Sequence, residues 1–242
     1  MAFIKTALLF IITGITSVGA FPLGIAAFVL SCLGLKKPMG WVIYLIGKIW
    51  ALIIIKCTGC KLQVKGKENI PSRGGLCFVC NHGGIFDIIL ALALIGRPFG
   101  FIAKKELLFI PFLNIWIFLL GGLFIDRKNI RRALKTINKG IRRLKSGGRM
   151  LVFPEGTRSK GRGLLPFHSG SLKLATQAGV PIVPVAISGS YDVFEKTYRV
   201  KAVPVRVTFC PPVNTAELPP EERKKNLADR LYQTIGEALR SE

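Results

Sequence analysis

The sequence predicts an α/β fold: a mixed, largely parallel central sheet flanked by helices, preceded by an N-terminal hydrophobic helical membrane anchor. Three observations predict it. Residues 1–56 are nearly unbroken apolar sequence. Residues 57–242 change character, with short apolar runs alternating with amphipathic patterns, which is how strands interleaved with helices read. The whole chain is both oily and basic: 50% of its residues are hydrophobic and its net charge is +22, with a mean hydropathy of +0.44 and a pI near 10.2. Phospholipid membranes are apolar and anionic and meet both demands; nucleic acid meets only the second. Six cysteines in 242 residues are too sparse for a secreted disulfide scaffold and read as reduced thiols facing a cytosol.

Taken in order, the first apolar run extends from Ala7 to Leu35 without a charge, and the second from Met39 to Ile55 with only Lys48. Either is long enough to be a membrane candidate. Gly19, Pro22 and Gly24 fall in the middle of the first run, where a helix is expected to bend or break. Lys5, Lys36, Lys37 and Lys56 flank the apolar pieces. If these basic flanks stay cytoplasmic, the first run enters and returns. Trp41, Tyr44 and Trp50 suit an interface. The reading is a monotopic anchor in one leaflet on the cytoplasmic face, with a true span as the alternative.

Strands are expected at Lys61–Val64, Leu76–Cys80, Phe99–Ala103, Leu123–Asp126, Met150–Phe153, Ile182–Ile187 and Val205–Phe209. Helices are expected near Gly84–Ile95, Lys105–Leu119, Lys128–Ser146, Ser169–Gln177 and Pro220–Arg240. In the third of these, Ile130, Leu134, Ile137, Ile141 and Leu144 form an apolar stripe, and the remaining positions are dense in Lys and Arg without an acid. That basic face is either solvated or turned toward anionic headgroups.

Two constellations compete around residues 77–87. Cys57, Cys60, Cys77 and Cys80 have the C-x2-C-x16-C-x2-C spacing of a structural zinc site. The second pair, however, sits in a strand-like run, where positions three apart face opposite ways. Those thiols therefore read as small core hydrophobes, and no metal is expected. His82 lies five residues before Asp87. On one continuous helix that spacing diverges by about 140°, so His82 belongs in the turn, which Gly83 and Gly84 make flexible, and Asp87 in the helix after it. Asp87 can then hold one imidazole nitrogen and leave the other as a base. Gly-x-Ser-x-Gly is absent. A base without a protein nucleophile implies that the substrate supplies the attacking hydroxyl.

Three further stretches end or form apolar strands: Gly121–Arg127, Phe153–Ser159 and Val183–Ile187. Phe153-Pro154-Glu155-Gly156-Thr157-Arg158-Ser159 puts a glycine turn and a guanidinium at a strand end, a natural place to grip a phosphate.

In this order, Asn81-His82-x4-Asp87 and these three blocks resemble the glycerolipid acyltransferase family, in its bacterial 1-acylglycerol-3-phosphate acyltransferase (PlsC-type) branch; Pro166-Phe167 and Gly179-Val180-Pro181 match as well. The similarity covers roughly residues 57–210. One departure is Gly84, where many members carry Ser. The resemblance implies transfer of a fatty acyl group from acyl-CoA or acyl-acyl carrier protein to the sn-2 hydroxyl of lysophosphatidic acid, giving phosphatidic acid, with no bound cofactor. It implies His82 as general base and Asp87 as its orienting partner. It implies Arg158 as the phosphate ligand, in a loop shaped by Glu155, Gly156 and Thr157. Arg127 and Lys105 are candidates for the same charge, each with a structural or membrane-facing role as its alternative. Backbone N–H groups after His82 are placed to steady an oxyanion. Membrane phospholipids are the expected partners, with an acidic carrier protein as a further one, at a bacterial inner membrane. Two other functions stand beside this one. Another lysophospholipid can be the acceptor. Alternatively, the chain is a membrane-bound basic zinc-ribbon protein that binds nucleic acid, which leaves the four blocks unexplained.

Overall fold

The structure is a computed structural model that describes residues 2–219 and 221–241. The described residues form a seven-stranded sheet in the order β1-β7-β6-β2-β5-β3-β4. Its strands are β1 (Lys61–Lys65), β2 (Leu76–Cys80), β3 (Gly100–Lys104), β4 (Leu123–Ile125), β5 (Arg149–Val152), β6 (Ile182–Ser188) and β7 (Pro204–Phe209). All pairings are parallel except β6 with β7. The expected class, mixed and largely parallel, is what the chain adopts.

Burial explains the strand sequences. β2 reads LCFVC and is buried on both faces at the sheet's centre. β1 reads KLQVK with Lys61, Gln63 and Lys65 exposed, as suits an edge strand that must not pair with another chain. Two cores lie on opposite sides of the sheet. One gathers Phe78, Cys80, Val183 and Val185 against α3 (Phe86–Leu94). The other gathers Cys77, Val79, Met150 and Ile182 against α6 (Ser169–Ala178) and α8 (Leu227–Arg240). Cys77 and Cys80 thus point to opposite sides of the sheet, so their sulfurs cannot share one ion.

The N-terminal segment departs from expectation. α1 runs unbroken from Ala2 to Cys32 through Pro22. A mid-helix proline costs about 3 kcal/mol, and packing along α1 outweighs it. Phe21 meets Phe112 and Trp116, and Phe28 meets Phe118, as edge-on aromatic pairs. Gly24 serves close approach rather than bending: a Cβ there would lie 3.1 Å from Leu119 Cδ1. The first run therefore does not enter and return by itself. The return is α2 (Lys36–Thr58), reached through Leu33, Gly34 and Leu35 with Gly34 at φ +109°. The helices are antiparallel, since Lys5 Nζ near the start of α1 donates to the Thr58 carbonyl at the end of α2, 2.8 Å away. Ala51, Ile54 and Ile55 of α2 are buried in the same core as β2.

Three other expectations shift. The helix expected over Lys105–Leu119 is split into a 3₁₀ turn, Lys105–Phe109, and α4, Leu113–Leu119. Pro111 has no N–H to continue the first piece, and Phe112 sits at φ +61°. The stripe on α5 (Ile130–Lys145) buries only its C-terminal part, Ile141 and Leu144, whereas Ile130 and Leu134 are exposed. Pro220 lies outside the described residues; the last helix follows a wide π-helical turn over Glu222–Asn226. A short helix, α7 (Ser190–Val193), had no sequence signature.

Candidate active site

Parallel strands bring their carboxyl ends to one edge of a sheet, where α/β proteins place their sites. Here β2 delivers His82, β5 delivers Glu155 to Arg158, β3 delivers Lys105, β4 delivers Arg127, and Glu195 follows β6 and α7. Residues from five separate segments meet at that edge.

His82 sits in the turn between β2 and α3, as its spacing from Asp87 required. Its Nδ1 is 2.8 Å from Asp87 Oδ2. Asp87 is fully buried and lies in the first turn of α3, where the helix dipole favours a carboxylate. The same oxygen accepts from the Gly84 N–H at 3.0 Å. A carboxylate accepts, so the Nδ1–H donates to it, and in the neutral ring Nε2 is then the nitrogen with the lone pair. The imidazole also stacks on Phe153, with ring centroids 4.0 Å apart and planes 19° from parallel. Two perpendicular restraints, one polar and one aromatic, hold the ring.

The turn around His82 is braced from β5 and β6. Asn81 continues the β2–β6 ladder with its side chain, donating to the Ile187 carbonyl and accepting from the Ile187 N–H at 2.9 and 2.8 Å. Glu155 is buried and accepts from the His82 N–H with one oxygen, at 2.6 Å, and from the Leu165 N–H with the other, at 3.1 Å. Burial pushes its carboxyl above the usual range, and these two N–H groups oppose that rise. The next loop is laced to the turn, with Ser159 N–H donating to the His82 carbonyl at 2.7 Å and Lys160 N–H to that of Gly83 at 3.1 Å. Beside this turn opens a cleft of about 560 Å³, lined by Asn81, Gly83, Ser159, Lys160 and Tyr191 among others.

The basic candidates divide. Arg158 pairs with Glu195 at 2.6 Å and is partly exposed. Arg127 donates to the Gly156 carbonyl, so it reaches the loop that carries Arg158. Gly156 takes φ +71°, and a Cβ there would come within 2.9 Å of Arg127 Nη1. Thr157 is exposed in the same loop. Lys105 is held by Asp126 at 2.8 Å, and this hydrogen bond is the main cause that keeps the Asp126 carboxyl below its usual range. Lys105 is thus braced one residue away from Arg127. Of the N–H groups expected to face an oxyanion, that of Gly84 is on Asp87 and that of Ile85 is on Glu195.

Glu195 is the residue that reading the sequence missed. It stands 110 positions from Ile85 in a segment without a motif. One hint was present: a Cβ on Gly84 would lie 2.6 Å from Glu195 Oε2, so the missing side chain makes room for that carboxylate.

A family model described as acyltransferase matches residues 61–188. The chain is 32% identical over 183 residues to a protein of Borreliella burgdorferi named 1-acyl-sn-glycerol-3-phosphate acyltransferase, across 75% of this chain and 73% of that one. A protein of the same name from Escherichia coli is 35% identical over 160 residues, across 66% and 65%. The crystal structure of the 1-acyl-sn-glycerophosphate (LPA) acyltransferase PlsC from Thermotoga maritima superposes with a TM-score of 0.82 at 27% identity, covering 100% of this chain and 97% of that one.

Proposed function

From the premise that this chain belongs to the acyltransferase family, we infer that it transfers a fatty acyl group to 1-acylglycerol 3-phosphate, forming phosphatidic acid. The names of its relatives support that acceptor. One observation carries the chemistry: a base–carboxylate pair, His82 and Asp87 at 2.8 Å, at the sheet edge that also bears Arg158.

The reaction runs as follows. The thioester is that of coenzyme A or acyl carrier protein. His82 Nε2 takes the proton from the acceptor's sn-2 hydroxyl as its oxygen attacks the thioester carbonyl. The C–O bond forms and the tetrahedral intermediate carries the negative charge. Its collapse breaks the C–S bond, and the imidazolium returns the proton to the departing thiolate. Asp87 stabilises the imidazolium and fixes the ring's tautomer. Positioned base catalysis of this kind contributes about 10²–10⁴-fold. Arg158 binds the acceptor's phosphate, and Arg127 braces the loop that presents it. Glu155, with both oxygens on backbone N–H groups, holds the His82 turn rather than substrate.

The α1–α2 hairpin supports membrane attachment. α1 touches the rest of the protein along its length, from Lys5 to Phe28. It therefore lies along the domain, while Phe3, Leu8, Ile11, Ile15 and Leu23 stay exposed. That geometry favours an anchor sunk into one leaflet over a span, on the cytoplasmic face of a bacterial inner membrane where basic flanks are retained.

The test is an acceptor panel on the purified full chain in liposomes, with both thioester donors. Lysophosphatidate should be the preferred acceptor, and His82→Ala should lose about 10²–10⁴-fold in transfer while still sedimenting with vesicles. Preference for a different lysophospholipid would reassign the acceptor; near-normal turnover by the variant would remove His82 from the chemistry.

A further inference from the structure

Glu195 neutralises the guanidinium to which the acceptor's phosphate is assigned. Its Oε1 lies 2.6 Å from Arg158 Nη1, its Oε2 accepts from the Ile85 N–H, and its side chain is only 12% exposed. A glycine at position 84 is what admits it. In a chain with 35 basic and 13 acidic residues, this places a carboxylate on an arginine beside the base.

We propose that Glu195 is an internal competitor for Arg158: its carboxylate weakens the site for every phosphate by one common factor, so that weakly binding phosphodiesters leave the arginine free while a phosphomonoester still displaces the carboxylate. This rests on the acyltransferase reading of the site. The chemistry is a comparison of anions. A phosphomonoester carries about −1.5 to −2 charges and three free oxygens at neutral pH. A phosphodiester carries one charge and two free oxygens, little better than the carboxylate already in place. At a membrane surface this difference matters, because phosphodiester headgroups there far outnumber the acceptor. An unguarded arginine would be occupied by bulk lipid. Glu195 sets a threshold of affinity that bulk lipid fails and the acceptor passes. When the phosphate takes Arg158, Glu195 also leaves the Ile85 N–H, three residues from the base.

The experiment uses the purified full chain and two soluble headgroups, glycerol 3-phosphate as monoester and glycerophosphoglycerol as diester, titrated calorimetrically. Glu195→Gln should bind the monoester more tightly. It should gain diester binding by the same factor, about tenfold or more, because a competitor removed from the free protein raises both affinities alike. Glu195→Asp, whose shorter arm cannot span Arg158 and Ile85 together, should shift the same way by less. In an Arg158→Gln background the Glu195→Gln change should have no effect. Unchanged or weaker binding of either headgroup in Glu195→Gln overturns the proposal. Transfer assays run in parallel separate the two readings. Wild type that acylates lysophosphatidate beside a Glu195→Gln variant with unchanged headgroup affinities defeats only the competitor role. Wild type that binds the monoester selectively but transfers no acyl group defeats only the reaction.

Discussion

Glu155 is a buried carboxylate that braces the turn carrying His82. Both of its oxygens accept from backbone N–H groups, one of them that of His82. Glu155→Gln presents an amide N–H to one of those donors, and we expect a loss of about 1–3 kcal/mol in stability together with slower turnover. The pH dependence has a definite sign. Burial raises the folded-state pKa of Glu155 above its unfolded value. A raised carboxyl binds its proton more tightly when folded, so its contribution is greatest below about pH 4.3, the ordinary value. It fades as pH rises through the raised one. Wild type should therefore exceed Glu155→Gln by most at the acid end of a urea-unfolding series and by less near neutrality; a gap that widens with pH would refute this account. At this scale His82 and Asp87 are legible in sequence, because their pairing is local and helix geometry fixes which of them lies in the turn. Glu195 is not, because its partners are 37 and 110 positions away and only folding brings them together.

Among elements, the strands are the most legible, since a parallel sheet buried on both faces imposes continuous apolar runs such as LCFVC. The helices are less so. Pro22 breaks nothing, because α2 and α4 pack against α1, whereas Pro111 does end a helical segment, because Phe112 turns the chain there. The same residue type gives opposite outcomes according to tertiary contacts that no local pattern records. Some glycines likewise mark contacts between elements. Gly75 precedes β2 where the chain passes the end of α5, and a Cβ there would collide with the Leu144 carbonyl oxygen. Because that neighbour is backbone and cannot swing aside, Gly75→Ala should destabilise by about 1–3 kcal/mol. For a chain of this size that is a fall of about 2–4 °C in Tm for each kcal/mol, read by a thermal melt in detergent. An unchanged Tm would mean that α5 and β2 can separate freely.

On the scale of the molecule, charge and oil act in different regimes. The net charge of +22 draws the protein to anionic surfaces, and this attraction fades with salt. The exposed apolar face of the hairpin is not weakened by screening. Sedimentation with vesicles should show binding to anionic lipid weakened but not abolished at about 1 M salt, where the screening length is about 3 Å. Complete release would mean that the hairpin does not insert. Class, sheet and anchor are all visible in composition at this scale, but the attachment of anchor to site is not. Thr6 of α1 accepts from the Val200 N–H at 2.8 Å, and Phe10 meets Phe194 edge-on at 5.5 Å. Those two contacts bracket Glu195. The segment that reaches Arg158 is therefore hung from the apolar helix α1. Coupling of this kind runs both ways by thermodynamic necessity. If seating α1 in a bilayer changes the affinity of Arg158 for phosphate by some factor, then filling the phosphate site changes the grip of the protein on the bilayer by that same factor.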